Sequence, residues 1–490
     1  MTNPQQGNSP VLVGVAQLEQ RVDEWQDHQE PLELMFKALH AAALDCANPE
    51  ILAKASSVRV VRGVWPYSNP AGVLRDRIGI PHAETAVTQF GGNFVQTLVN
   101  QTALDIQSGA HEVVLITGAE CGYTQAKARR AGEKVRWQDP GGTPDRVFGD
   151  DVAMTHDEEK LANISSPIQM YPIFETALRH ELGESPASHL ARVSDLWAGF
   201  SAVAANNPNA WLRSQKSAAE IRTVSAANRA VSAPYPKFMN SNSNVDQAAA
   251  LIMCSTNMAK KLGIPESKWV YPWAGSDAHD TYFVSNRDNL HSSPAIRIAG
   301  NRCLELAGVN VGDLTNIDLY SCFPVAVQVA ARELGIAQDR PLTVTGGLTF
   351  AGGPLNNYVM HSIAQTVELS RAQPEARNLV TANGGYLTKH AFGVYSGEAP
   401  SGAYQHADVQ KEVDALGQRS LHVDYRGDAQ IESYAVMYGA DGPQVGHIAC
   451  RTPAGERAWA NTTDPQQLAN MIEEDVCERS IKVANRIAHF

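Results

Sequence analysis

Seven cysteines, Cys46, Cys121, Cys254, Cys303, Cys322, Cys450 and Cys477, are the evident nucleophiles of this chain, and their spacing limits what they can do. They are odd in number, widely scattered and without a CxxC pair, so the pattern reads as free thiols and not as a disulfide framework or a zinc site. A second cluster, Asp151 to Lys160, sets four carboxylates around His156 and raises the question of a metal. The Asp/Asn spacing of a calcium loop is missing, and the adjacent residues 157 to 159 cannot all converge on one ion without a special turn. A solvated acidic loop is the better reading, and no metal is expected. Paired glycines form a third class: Gly91 and Gly92, Gly352 and Gly353, Gly384 and Gly385. Such pairs leave room beside the backbone and expose N–H donors to a ligand, or they simply make tight turns after buried strands.

The elements that must position these residues are those of an α/β protein. Short apolar runs bounded by turn residues alternate with stretches of helical period, which argues for parallel α/β units. Val11 to Ala16, Val58 to Trp65, Thr85 to Gln89 and Glu112 to Glu120 read as buried strands. Between them, Asn93 to Gln107 places Phe94, Leu98, Ala103 and Ile106 on one helical stripe. From Cys121 to about residue 232 the chain turns polar, with amphipathic helices and no strong strand signal, and reads as an insertion over the sheet. The apolar run Ala248 to Ser255 closes a first half, 1–256. A second series, 257–400, repeats the order loosely and suggests duplication: Lys268 to Gly275, a helix through Ile296 and Leu306, the strand Ile317 to Tyr320, a helix to Gly335, the loop Thr345 to Pro354, a further helix, and two strand-like runs.

Beyond the linker Gly397 to Ala403, residues 404–490 read as short alternating runs, SLHVDYRG, QIESYAVMYGADG, QVGHIACRT and RAWANT, followed by a helical tail from Pro465. An OB-like barrel is one candidate. Such barrels often bind single-stranded nucleic acid through a basic aromatic face, but this segment holds eight Lys/Arg against thirteen Asp/Glu. The whole chain carries −12, so nucleic acid is a poor default partner. With 43% hydrophobic and 19% charged residues the 490-residue chain can bury several cores. Its start lacks the pattern of a secretory signal and no run is long enough to span a bilayer, so a cytoplasmic protein without a membrane span is expected.

With these loops in order, the stretch from Val11 to Ser396 resembles the thiolase superfamily. TQFGGNFVQT resembles the family's Asn-x-x-Cys-x-x-Gly loop, with Gly91 where the cysteine stands; Gly118 and Glu120 match the following Gly-x-Glu. Asn244 to Ser255 resembles the Asn-x-x-Asp-Gly-Ala-Ala segment, with Gln247 in place of glycine. Tyr320-Ser321-Cys322-Phe323 stands where the family has Asn-Glu-Ala-Phe or, in the sterol-carrier type, His-Asp-Cys-Phe. Gly346 to Pro354 matches the loop ending Gly-His-Pro, with Gly353 for histidine, and Thr381 to Gly385 matches Cys-x-Gly-Gly-Gly without its cysteine. Together with the β-rich tail the pattern is most similar to the thiolase-like protein type 1 group. The resemblance implies a duplicated thiolase fold, layered αβαβα, with an extra small β-rich C-terminal domain.

It also implies what chemistry is missing. A thiolase attacks with a thiolate at a helix N-terminus, where the dipole and free N–H groups lower its pKa; position 91 is glycine, so no acyl-enzyme forms there. Cys322 matches the cysteine that serves as acid/base in the sterol-carrier type, and otherwise is a small buried residue packing behind the turn. His390 could face the same cavity, with Lys389 as an anion contact, or be a hydrogen-bonded residue at a strand end. Cys322, Tyr320 and His390 are therefore the catalytic candidates, and Gly91, Gly92, Asn93, Gly352, Gly353, Gly384 and Gly385 the candidate acyl-CoA pocket. Three functions follow. The leading one is binding of an acyl-CoA or related thioester, with no covalently bound cofactor and without ordinary thiolysis or condensation. The others are an active acyltransferase or lyase with a rearranged site, and a scaffold that recruits a protein partner through its C-terminal domain. The oligomeric state is left open, since Thr85, Thr88 and Gln89 make polar a strand that often pairs across thiolase dimers.

Overall fold

The computed structural model describes residues 8–490. β1 (Pro10–Glu19), β2 (Ser57–Val60), β3 (Glu84–Thr88), β4 (Val113–Cys121) and β5 (Arg146–Phe148) belong to a first sheet; β6 (Ser232–Ala233) leaves it, and β7 (Asp246–Ser255) returns to it. The order is β1-β7-β4-β2-β3-β5. β4 and β7 are buried along their whole length because both faces of the sheet are covered. Successive side chains point to opposite faces. Val113 and Leu115 therefore enter one core with the helix Pro31–Asp45, whereas Val114 and Ile116 enter another with the helix Phe94–Ser108.

β8 (Tyr271–His279), β9 (Asn316–Asp318), β10 (Asn378–Gly384), β11 (Lys389–Ser396) and β12 (Gln405–Asp408) form the second sheet, in the order β12-β8-β11-β10-β9. The two sheets share a four-strand pattern of two antiparallel pairings followed by a parallel one, β1-β7-β4-β2 and β8-β11-β10-β9, to which the second sheet adds β12 parallel to β8. The repeat read from the sequence is thus a repeat of topology. The helices Phe94–Ser108 and Tyr358–Ala372 contact both sheets and form the middle layer; Pro31–Asp45 covers the outer face of the first sheet and Pro294–Ala307 that of the second. This is the αβαβα layering of a thiolase fold.

β13 (Gly427–Gly439), β14 (Gly442–Arg451), β15 (Arg457–Thr462), β16 (Ser480–Ala484) and β17 (Ile487–His489) close on themselves in the cycle β13-β14-β15-β17-β16-β13, an OB-like barrel. Ile431, Ile448, Cys450, Ile481 and Val483 fill it, and the helix Pro465–Glu473 adds Leu468 and Met471.

Four local readings change. The tail after Pro465 is not all helix: β16 alternates exposed and buried residues and turns into β17 at Asn485 and Arg486, both with positive φ (53° and 59°), the backbone of a tight hairpin. Residues 405–408 extend the second sheet beside β8, so the barrel strands begin only at Gly427. SLHVDYRG makes a single bridge, Leu421 to Arg457, before its last residue, Gly427, opens β13. The insertion contains a strand after all: β5 pairs along the outer edge of β3, and the Asp145 carboxylate accepts from the Thr85 N–H and hydroxyl, both at 2.8 Å. Among the described residues no helix is long and apolar enough to cross a membrane.

Candidate functional site

Three segments bring the predicted loops together: Gly91 to Asn93 before the helix Phe94–Ser108, Tyr320 to Phe323 after β9, and the hairpin of β10 and β11, in which Asn383 pairs with His390 and Gly384 with Lys389. The Tyr320 N–H donates to Thr381 Oγ1 at 2.9 Å, which ties the second segment to the third. Gly92 lies under both: a Cβ built there would stand 2.6 Å from the Tyr320 hydroxyl and 2.5 Å from the Asn383 carbonyl oxygen. A Cβ on Gly91 would come within 2.9 Å of Lys389 Nζ and 2.6 Å of Asn93 Oδ1, and one on Gly384 within 2.5 Å of that same Oδ1. Gly91, Gly92, Asn93 and Gly384 therefore do converge with Tyr320. What they enclose is already filled by a tyrosine hydroxyl and a lysine ammonium, whose Nζ donates to the Phe90 carbonyl at 2.9 Å.

Cys322 lies beneath this cluster, 9% exposed. Asn383 Nδ2 donates to its Sγ at 3.7 Å and to the Tyr171 hydroxyl at 3.0 Å, while the Tyr171 ring stacks on Phe323 at 4.4 Å. Burial pushes the Cys322 thiol up to about 12; the hydrogen bond from Tyr171 opposes the shift without reversing it. Burial raises the Tyr320 hydroxyl as well, with Cys322 adding to it. Neither group is ionised near neutral pH. Tyr171 comes from the inserted helix Pro167–Glu181 and belongs to no family loop, so the sequence offered no signal for it.

His390 is 2% exposed. Its Nε2 lies 3.2 Å from the Leu387 carbonyl, 3.4 Å from Ser293 Oγ and 3.7 Å from Asp280 Oδ2. Burial alone would raise the Asp280 carboxyl, but His390, Arg287 and Ser293 outweigh it and hold it below the usual carboxylate range. Tyr320, Thr381, Asn383, Leu387 and His390 line a small chamber of about 10 Å³, room for roughly one water.

Gly352 and Gly353 are placed elsewhere, whereas Gly385 stays beside the cluster, its carbonyl accepting from the Tyr171 hydroxyl at 3.3 Å. Gly352, at φ 116°, presses on the Gln247 side chain, and Gly353 donates its N–H to the Asn242 carbonyl at 2.9 Å. They pack on the turn before β7 because the preceding helix, Gly347–Phe350, delivers them there. Gly385, at φ 69°, lies under the methyl group of Met154 from the insertion.

The acidic cluster around His156 does not converge. His156 caps the helix Asp157–Leu161, its Nδ1 accepting from the Glu158 N–H at 3.1 Å while Glu159 Oε2 accepts from the His156 N–H at 2.9 Å. Glu158 turns to Arg486 at 2.8 Å and Glu159 to Ser285 at 2.6 Å. Among the described residues one group has metal-compatible spacing, His180, Asp475 and Cys477, but the Arg179 guanidinium already donates to Asp475 at 3.0 Å.

On the far side of Asp280 lies a much larger space, an open groove of about 840 Å³. Its walls are the loop Asp280 to Pro294, the inserted residues Val152 and Ala153, and the stretch Val413 to Gln418. Phe283, Val413 and Leu416 supply apolar surface and Asn286, Asn289 and Arg297 supply polar groups. No motif marks this groove, because its walls come from three segments distant from one another along the chain.

Residues 408–486 match the family model "Thiolase-like protein type 1 additional C-terminal domain". The crystal structure of a monomeric SCP2-thiolase like protein type 1 from Mycobacterium smegmatis is 31% identical in sequence, with a TM-score of 0.83 over 99% of this chain and 98% of that one. Acetyl-CoA acetyltransferases are more distant: the Methanocaldococcus jannaschii protein is 27% identical over 93 residues, 19% of this chain, and the Methanothermobacter thermautotrophicus protein 25% over 171 residues, 31% of this chain. These matches span 24% and 43% of the two curated relatives, less than half of either.

Proposed function

The chain belongs to the SCP2-thiolase-like protein type 1 family of the thiolase superfamily, and from that premise we propose that it binds an acyl-CoA or related thioester without thiolysis or Claisen condensation. The observation that carries the second half is the filled reaction centre. Covalent catalysis needs a thiolate within reach of the thioester carbon and donors aimed at the developing oxyanion. Here Gly91 offers no thiol, Tyr320 and Lys389 stand against the glycines, and the chamber left over is about 10 Å³. Cys322, the one thiol in that segment, is held protonated by burial. The groove beside Asp280 supports the first half. Its volume, about 840 Å³, lies within the range of small-molecule sites, and its mixed apolar and polar walls suit an acyl arm.

Calorimetric titration with acetyl-CoA and octanoyl-CoA, run beside a thiolysis assay with acetoacetyl-CoA and a longer 3-ketoacyl-CoA, tests both halves. Saturable binding with no turnover is the expected result. Turnover that disappears in Cys322→Ser would restore a rearranged acyltransferase, and a lack of binding by every thioester would leave the fold as a scaffold.

A further inference from the structure

The wall of the large groove is held from outside the thiolase core. Arg457, on β15 of the barrel, is fully buried, and its guanidinium is oriented by Glu432, which accepts from Nε at 2.8 Å and from Nη2 at 2.6 Å. That pairing leaves Nη1 directed at the core. It donates to the carbonyls of Val284 at 3.0 Å, Ser285 at 3.1 Å and Arg287 at 2.5 Å. Arg419, which precedes the barrel, takes the two carbonyls between and beyond: its N–H donates to Asn286 O at 3.0 Å and its Nε to Asp288 O at 2.8 Å. Arg419 Nη1 is in turn tied to the Gly455 carbonyl in the β14 to β15 turn at 2.9 Å. All five consecutive carbonyls from 284 to 288 thus accept from the C-terminal domain and its lead-in. Trp459 adds a bond from Nε1 to Ser285 Oγ at 2.9 Å.

Within the loop only a single 3-10 turn, Val284–Asn286, holds its own backbone, through Asn286 N–H to Phe283 O and Arg287 N–H to Val284 O at 3.1 Å each, and buried carbonyls left without donors are costly. Charge-assisted donors on planar guanidinium groups supply four of the five carbonyls, and the Arg419 backbone N–H supplies Asn286. The same loop presents Phe283, Asn286, Arg287, Asp288 and Asn289 to the groove. We infer that the C-terminal barrel is a working part of the ligand site, with Arg457 and Arg419 as positioning residues that set the groove wall. The ligand half of this inference rests on the thioester reading above; the positional half does not.

Hydrogen–deuterium exchange on the full chain, combined with octanoyl-CoA titration, separates the two. In Arg457→Gln, exchange in the peptide spanning 283–289 is expected to rise at least tenfold while β8 and β10 keep their protection, and octanoyl-CoA affinity is expected to fall at least tenfold. Unchanged exchange in that peptide overturns the inference. Loss of protection throughout the barrel and the core means that the variant has unfolded, and the decision then passes to Arg419→Ala, which leaves the Glu432 pairing and the backbone bond to Asn286 intact and removes the side-chain bonds to the Asp288 and Gly455 carbonyls. In that variant a rise confined to 283–289 upholds the inference and no rise overturns it. If octanoyl-CoA does not bind the unaltered chain, the thioester reading fails, and the exchange result still decides the positional claim.

Discussion

The state of the Cys322 thiol is the sharpest chemical consequence of this fold. Burial, only partly offset by the Tyr171 and Asn383 hydrogen bonds and the nearby backbone N–H groups, places its pKa at about 12. An unhindered cysteine near 8.5 is about 3% thiolate at pH 7, whereas Cys322 would be about 0.001% thiolate, so ionisation alone slows attack on an electrophile by roughly 3,000-fold. Limited exposure slows it further. Peptide-resolved mass spectrometry after iodoacetamide labelling at pH 7 gives the rate for this cysteine in the native chain and in the urea-unfolded chain, which serves as the reference. Tyr171→Phe supplies a control with a definite sign: it removes a hydrogen bond that lowers the thiol pKa, so labelling should not accelerate. Native labelling within tenfold of the unfolded rate would refute the argument, and acceleration in Tyr171→Phe would show that the tyrosine shields the thiol and does not stabilise its anion.

Two further outcomes follow from the same packing. Gly92→Ala places a methyl group 2.6 Å from the Tyr320 hydroxyl and 2.5 Å from the Asn383 carbonyl oxygen, an overpacking expected to lower the urea unfolding free energy by about 1–3 kcal/mol; adding Tyr320→Phe should recover only part, because the second contact is backbone. Glu120 is buried, and desolvation raises its carboxyl to about 8 against the bond from the Val64 N–H. Its native form stays protonated at neutral pH while the unfolded form ionises, so the cost is absent below about pH 4.5 and accumulates up to about pH 8. Glu120→Gln is therefore expected to gain stability relative to the unaltered chain by about 3 kcal/mol between pH 4.5 and pH 7, and a difference flat with pH in thermal unfolding would contradict the assignment.

The long central strands were legible because burial on both faces leaves continuous apolar runs, as in Val113 to Ala119 and Ala248 to Cys254. β5, β16 and β17 were not, since three to five residues with alternating exposure carry little pattern of their own and are fixed by the strands they join. At the site, the fold brings Gly91, Gly92, Asn93 and Gly384 to Tyr320 and sets Gly352 and Gly353 beside Gln247 and Asn242; order along the chain does not say which face of a loop a residue takes. Tyr171 and Asp280 were missed for another reason: each acts through a neighbour distant in sequence, and nothing in their local context marks them.

β5 has a consequence for how copies of this chain meet. A strand at the margin of a sheet offers its amide and carbonyl groups to any extended segment that can match them, which is how many β proteins assemble and also how they aggregate. Three residues of the insertion, Arg146 to Phe148, occupy that margin on β3 from within the same molecule. Their removal would open a β-augmentation site without touching a residue of the reaction centre. With them in place β5 becomes the margin itself, and at three residues it offers an incoming strand far less to pair with than β3 would.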